Sequence, residues 1–402
     1  MEKLAMFGGT PASDRLIGYG RQDVSDADVQ AVVDCLRSDY LTCGPATERF
    51  EEALKAATGA AHVTAVANGS AALHVACLAA GVGPGDEVIV SPITFAASAN
   101  CVLYCGGTPV FADIDPLTWN VDPASIRGKV TARTKAVVAV DFGGVPVDSA
   151  AIRAICDEFG LVFIEDAAHS LGSLHADGRP VGSVADITTL SFHPVKTVTT
   201  GEGGAVCTSD DELARRVALF AKHGITRDPA QLREPDVGGW HYEQLELGYN
   251  YRISDIEAAL GASQLVRLPE FARRRRELVA FYDAEFAGIP EVSFQADPRP
   301  GDTVRHLYCL RFDLEALGTT RRFVYDALRA ENIGVNVHYL PVYRLPYYQD
   351  LGYDAGCCPE ANRYYEQAVT IPLHCRMTDD DARNVVAAVC KVVEACRAGE
   401  GA

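Results

Sequence analysis

Positive charge is scarce in this chain of 402 residues: 36 Lys and Arg stand against 54 Asp and Glu, a formal net charge of −18. A surface of that sign repels phosphate backbones, so nucleic-acid binding is disfavoured. A small anionic substrate stays open, because a pocket can reverse the average field locally. Long apolar runs are also missing, and no stretch has the length of a membrane span. The first residues, Met1-Glu-Lys-Leu-Ala-Met-Phe-Gly-Gly9, lack the apolar core and cleavage pattern of a secretory signal. No disulfide framework is visible: the thirteen cysteines are odd in number and irregular in spacing, and many lie inside apolar runs. Reduced thiols in a cytoplasmic protein are therefore expected. No cysteine or histidine pair completes a zinc pattern, so no metal site is expected. Internal repeats and low-complexity segments are absent. What remains, 48% hydrophobic and 22% charged residues, is the composition of an ordinary globular enzyme.

The chain up to about Gly20 is punctuated by Gly and Pro and reads as an arm lying on something else. Asp23–Leu36 has helical periodicity, with Ser25 as an N-cap. Short β-branched runs follow at 62–66, 87–90, 109–113, 136–140, 162–165, 188–191 and 205–208, with helical segments such as 71–80 and 149–159 between several of them. Continuous apolar strands alternating with helices predict an α/β fold, with a mostly parallel seven-stranded sheet covered on both faces. In such sheets functional residues gather at the carboxyl ends of the strands, where Asn68, Asp166 and Ser191 fall. A helix-rich stretch, Ile253–Phe286, leads away, and its Arg273–Arg276 run reads as a solvated helix face. Strand-like runs at 306–312 and 334–338 belong to a smaller α+β unit. The expected division is an arm over 1–20, a large domain over 21–270, and a helical connection with a small domain over 271–402.

Two segments carry the chemistry. Lys196 lies in Ser191-Phe-His-Pro-Val-Lys-Thr-Val-Thr-Thr-Gly-Glu-Gly-Gly204, nearly free of bulky groups after Pro194. Asp166 ends the apolar run Phe163-Ile-Glu-Asp-Ala-Ala-His169. The pair suits pyridoxal 5'-phosphate (PLP), with the lysine holding the aldehyde as a Schiff base and the aspartate keeping the pyridine nitrogen protonated. A bare helix N-cap is the other reading of Asp166. Asn68-Gly-Ser70 opens a helix after a strand, which makes an anion site at its free N–H groups or only a capped terminus. Phe95, in the loop after 87–90, can stack on a ring or simply pack. His169 can return to the face of Asp166 or sit on a helix surface. Gly81-Val-Gly-Pro-Gly-Asp86 precedes its strand, the wrong order for a nucleotide loop, and reads as a turn.

With Gly248-Tyr-Asn-Tyr-Arg252 downstream, these segments resemble the DegT/DnrJ/EryC1/StrS family of PLP-dependent sugar aminotransferases, from about Tyr19 to Ile371. The resemblance implies a fold-type I homodimer with shared active sites. It makes Lys196 the Schiff-base lysine, places Asp166 at the pyridine nitrogen and sets His169 over the ring. Ser70, the backbone at Ala71 and Ser191 would hold the phosphate, joined by Asn250 of the neighbouring subunit. Tyr19-Gly-Arg-Gln22, Asp39-Tyr-Leu-Thr-Cys-Gly-Pro45, Asp141-Phe-Gly-Gly144 and Asn336-Val-His-Tyr-Leu-Pro-Val-Tyr343 resemble the branch acting in pseudaminic acid synthesis. That branch moves an amino group from L-glutamate to C4 of a UDP-linked 4-keto-6-deoxy-N-acetyl-hexosamine. Tyr19, Asp39, Tyr40, Leu41, Thr42, Asn336, Val337, His338 and Tyr339 would border the substrate. Another UDP- or dTDP-keto-sugar is the alternative. The family's dehydratase branch replaces the lysine with histidine, which Lys196 disfavours. A non-catalytic sugar-binding or regulatory protein would be expected to have lost Lys196 or Asp166.

Overall fold

Valine- and isoleucine-rich runs too short for helices pair side by side, and the amphipathic segments between them cover the result. The computed structural model describes residues 2–235 and 237–400. Strands β1 (His62–Val66), β2 (Glu87–Val90), β3 (Thr108–Phe111), β4 (Thr134–Val140), β5 (Val162–Asp166), β6 (Ile187–Ser191) and β7 (Gly204–Thr208) form one sheet. Their order is β1-β7-β6-β5-β4-β2-β3. All neighbours are parallel except β7, which runs against both β6 and β1. The carboxyl ends of β2, β5 and β6 consequently share one edge with the start of helix Gly69–Ala79. Helix starts are fixed by their own side chains: Ser25 and Asp28 form a capping box for Asp26–Leu36, and Ser254 and Glu257 form another for Asp255–Val266.

A two-residue ribbon, β8 (Ile225–Thr226) with β9 (Glu243–Gln244), precedes the helices Asp255–Val266 and Leu268–Phe286. Beyond them β10 (Val292–Phe294), β11 (Tyr308–Phe312) and β12 (Ala368–Ile371) make an antiparallel sheet in that order. The predicted strand at 334–338 is not one. Its Asn336 makes a single bridge to Thr370, and the Gly334 N–H donates to the Ile17 carbonyl at 2.7 Å. A Cβ at Gly334 would lie 2.7 Å from that oxygen, so the arm sits where a neighbouring strand would pair. β10 and β12, of three and four residues, carried too little periodicity to be foreseen.

The Arg273–Arg276 run also departs from expectation. Arg273 is exposed, but Arg275 is 1% exposed, and its Nη1 donates to the carbonyls of Arg305, His306 and Leu373 at 3.1, 3.3 and 3.2 Å. Arg276 Nε reaches the Thr303 carbonyl at 3.1 Å, and Arg274 Nη2 the Met377 carbonyl at 2.6 Å. Charge patterning alone could not tell a guanidinium facing water from one satisfied by main-chain oxygens. The run is a clamp on the segments beside it.

The N-terminal arm is pinned rather than loose. Leu4 and Ile17 enter the apolar core around β11 and helix Asp379–Arg397. Fully buried Glu331 accepts the N–H groups of Ala5 and Ala12, both at 2.8 Å, and the Lys391 ammonium at 2.9 Å. Lys391 also donates to the Thr10 carbonyl at 2.8 Å. Removing one member of such a pair strands the other charge in the core. Glu331→Gln is therefore expected to cost about 3 kcal/mol in urea unfolding, with most of it recovered in Glu331→Gln/Lys391→Met. A loss below about 1 kcal/mol would show that the pair is not what fastens the arm.

Candidate active site

β5 ends in two carboxylates that point to opposite faces of the sheet, as successive strand residues must. Glu165 faces a sealed interior. Its Oε1 lies 3.2 Å from His175 Nε2, and the Thr188 hydroxyl donates to Oε2 at 3.0 Å. Burial pushes Glu165 well above the usual carboxylate range and His175 down to about 4, which keeps both groups neutral. Asp166 instead faces a cavity of ≈ 700 Å³ at the strand ends. It is only 4% exposed, accepting from Ser98 Oγ at 2.6 Å and from the Ala168 N–H at 3.2 Å. Burial raises its pKa, while the Ser98 and Ala168 bonds and the Lys196 charge pull the other way.

Lys196 lines the same cavity from the loop between β6 and β7. Its backbone N–H turns back to the His193 carbonyl at 2.9 Å, but its amine has no hydrogen-bond partner among the described residues. Burial lowers it to about 8, against the opposing pull of Asp166. The amine therefore loses its proton easily and becomes nucleophilic close to neutral pH.

His169 lies in a turn, not on a helix, and is 5% exposed. Its Nε2 is 3.3 Å from the Tyr339 hydroxyl and its Nδ1 is unpartnered. Burial, and then the fields of Lys196 and His338, hold it well below the usual histidine range, hence neutral. At the other end Asn68 caps helix Gly69–Ala79 by accepting the Ala71 N–H at 2.8 Å. That bond engages the Ala71 donor and buries the residue behind the cavity wall. Ser70 and Ser191 both line the cavity. Gly69 permits their approach, since a Cβ there would lie 2.8 Å from Ser191 Cβ. Phe95 stands at the rim, 64% exposed, so it is not simply packed.

An unpartnered amine, a dry carboxylate, a neutral imidazole with a free nitrogen and an exposed aromatic ring are the groups that PLP needs. A model of the DegT/DnrJ/EryC1/StrS aminotransferase family matches residues 22–390. The chain belongs to that family. The spore coat polysaccharide biosynthesis protein SpsC of Bacillus subtilis is 40% identical over 383 residues, spanning 95% of this chain and 98% of SpsC. Among solved structures, Helicobacter pylori PseC, described as an aminotransferase of pseudaminic acid biosynthesis, superposes with a TM-score of 0.87 at 30% identity. The match covers 95% of this chain and 100% of PseC. The PLP form of the putative sugar aminotransferase Spr1654 from Streptococcus pneumoniae gives 0.86 at 31% identity, covering 95% and 99%. The family member described here is a PLP-dependent sugar aminotransferase of fold type I, and it takes an amino donor and a sugar.

The small-sheet side supplies the opposite wall of this aminotransferase. Tyr19, Asn336, Val337, His338 and Tyr339 all line the cavity. His338 Nδ1 lies 2.9 Å from the Thr370 hydroxyl, its Nε2 3.4 Å from Asn336 Nδ2, and its ring 5.3 Å from that of Tyr19. Burial takes His338 down to about 4. Asp39, Tyr40, Leu41 and Thr42 are exposed and do not line this chain's cavity. Asn250, also exposed, accepts from Arg252 Nε at 3.0 Å and lies outside it. Sequence reasoning missed Ser98 and His306. Ser98 had no motif to tie it to a carboxylate 68 positions away. His306 stood in a strand-like run that suggested only packing.

The depressed Lys196 gives a pH test on the cofactor-free protein. Capture of added PLP, followed by absorbance, is expected to rise with pH around a midpoint near 8, where an ordinary lysine has 10.5. Since the Asp166 carboxylate favours the ammonium, Asp166→Asn is expected to move that midpoint lower. A midpoint near about 10 would mean that the amine is solvated.

Proposed function

We propose that this aminotransferase moves the amino group of L-glutamate to C4 of a UDP-linked 4-keto-6-deoxy-N-acetyl-hexosamine, in nucleotide-sugar synthesis of the pseudaminic acid type. The observation that carries the reading is the chemistry of the cavity wall. Apart from Lys196, no lysine or arginine side chain among the described residues lines it. Tyr19, Asn336, His338 and Tyr339 offer uncharged hydrogen-bonding groups, which suit the hydroxyls and ketone of a sugar. PseC, similar over nearly the whole chain, supports the choice of sugar.

PLP supplies an electron-accepting ring. Asp166, kept dry on the cavity floor, would hold the proton on its pyridine nitrogen. Lys196, with a pKa of about 8, can accept and return a proton at the sugar C4 near neutral pH. Ser70 and Ser191 would hold the phosphate, and His169 and Phe95 would stand beside the ring. The test is a product assay with glutamate and a panel of UDP- and dTDP-4-keto-6-deoxysugars, with the new amine assigned by NMR. Amination of the UDP-linked N-acetyl-hexosamine at C4 is expected. Preference for a dTDP sugar, or an amine at another carbon, would replace this substrate.

The exposed Asn250 belongs, in this proposal, to the cofactor phosphate of a second copy in a homodimer. Mixing Asn250→Ala with Lys196→Ala and allowing subunit exchange would then create one undamaged site per heterodimer. Activity is expected to rise to a fraction of the parent's. No rise despite proven exchange would put Asn250 and Lys196 in the same chain's site.

A further inference from the structure

His306 lines the cavity at 5% exposure, and the roles above leave it without a task. Its ring centroid lies 4.7 Å from that of His169, the planes tilted by 44°. The Nδ1 atoms of both rings are buried without partners. What sets it apart from a packing residue is its mount. Its backbone N–H donates to the Gly143 carbonyl at 2.8 Å, and its own carbonyl accepts from buried Arg275. Arg275 holds the carbonyls of Arg305 and Leu373 as well, with no carboxylate partner among the described residues. Arg305 is tied in turn to Gln295, whose Nε2 donates to the Phe142 carbonyl at 2.9 Å.

The glycine pair in Asp141-Phe-Gly-Gly144 makes this approach possible. Gly143 and Gly144 have φ of 66° and 103°, in the left-handed region where side chains are strained. A Cβ on Gly144 would stand 2.5 Å from the Val304 carbonyl oxygen and 2.8 Å from that of His169. Bare backbone at this point lets residues 304–306 descend onto the turn that carries His169. Burial, reinforced by the positive charges of Lys196 and Arg275, holds His306 well below the usual histidine range. Two neutral rings pack together where two imidazolium ions would repel.

We propose that His306 is a positioning residue: mounted by Gly143, Gly144 and Arg275, its imidazole fixes the ring of His169 at the height at which His169 covers the cofactor. The proposal rests on the placement of His169 over the PLP ring. It predicts that the substituted asymmetry of the bound cofactor depends on His306 only through His169.

The experiment compares holoenzyme of the parent, His306→Ala, His169→Ala and the double variant by visible circular dichroism of bound PLP and by the glutamate half-reaction. Each single substitution is expected to weaken the dichroic band and to slow the half-reaction on the order of tenfold to a hundredfold. The double variant is expected to match His169→Ala, because one route cannot be cut twice. Additive losses, or an unchanged band in His306→Ala, would overturn the coupling while leaving the proposed reaction standing. An unchanged band in His169→Ala would overturn the ring placement and this proposal with it. Should His306→Ala not fold, His306→Phe keeps a flat ring in the same space and is expected to keep the band. A folded His306→Phe protein without it would also overturn the proposal.

Discussion

Strand β5 delivers two consecutive carboxylates into the interior, and the sheet tolerates both because each face answers its own differently. On one face the carboxyl of Glu165 meets a neutral imidazole and a hydroxyl, and stays uncharged. On the other, Asp166 receives one hydroxyl and one amide, with a lysine charge nearby. An ionised carboxylate so nearly dry is unfavourable unless a cation completes it. A protonated pyridine ring is such a cation. In the proposed reading, the cofactor would answer an electrostatic deficit that the strand itself creates.

Around that deficit the cavity divides by origin. Its floor comes from strand ends and one helix start of the large sheet, where backbone geometry is stiff. Its wall comes from the arm and from residues 306 and 336–339, which reach it from the second layer. Buried Arg275 ties the wall together by gripping the carbonyls of Arg305, His306 and Leu373, on segments that would otherwise be separate loops. All three of these bonds leave the guanidinium through Nη1, so one buried nitrogen gathers three main-chain oxygens.

The floor was readable in the sequence and the wall much less so. Continuous apolar strands announce a parallel sheet, and a parallel sheet announces where its chemistry lies. Lys196, Asp166, Ser70 and Ser191 could thus be placed from their positions relative to strands. Asn68 proved to be a cap as well as a neighbour of the site, two readings that the residues alone could not separate. The wall rests on contacts between residues hundreds of positions apart, such as Gly334 with Ile17. No local pattern encodes these. The same blindness hid Arg275 inside a basic run and His306 inside a strand-like one. It also made 334–338 look like a strand, because a segment paired with an arm has the alternation of one paired with a sheet.

Several of the bonds that fasten the wall run between main-chain atoms. Leu373 N–H holds the Tyr19 carbonyl, Asn336 and Thr370 exchange both of their backbone bonds, and Gly334 N–H holds Ile17. His338 and Tyr339 add side-chain bonds to Thr370 and His169, whereas the side chains of Tyr19, Asn336 and Val337 carry less of the frame's integrity. A lineage could exchange them one at a time and drift from one sugar to another while the cofactor floor kept working. Retargeting such an enzyme in the laboratory should follow the same path, by altering what the wall displays and leaving alone what holds it up.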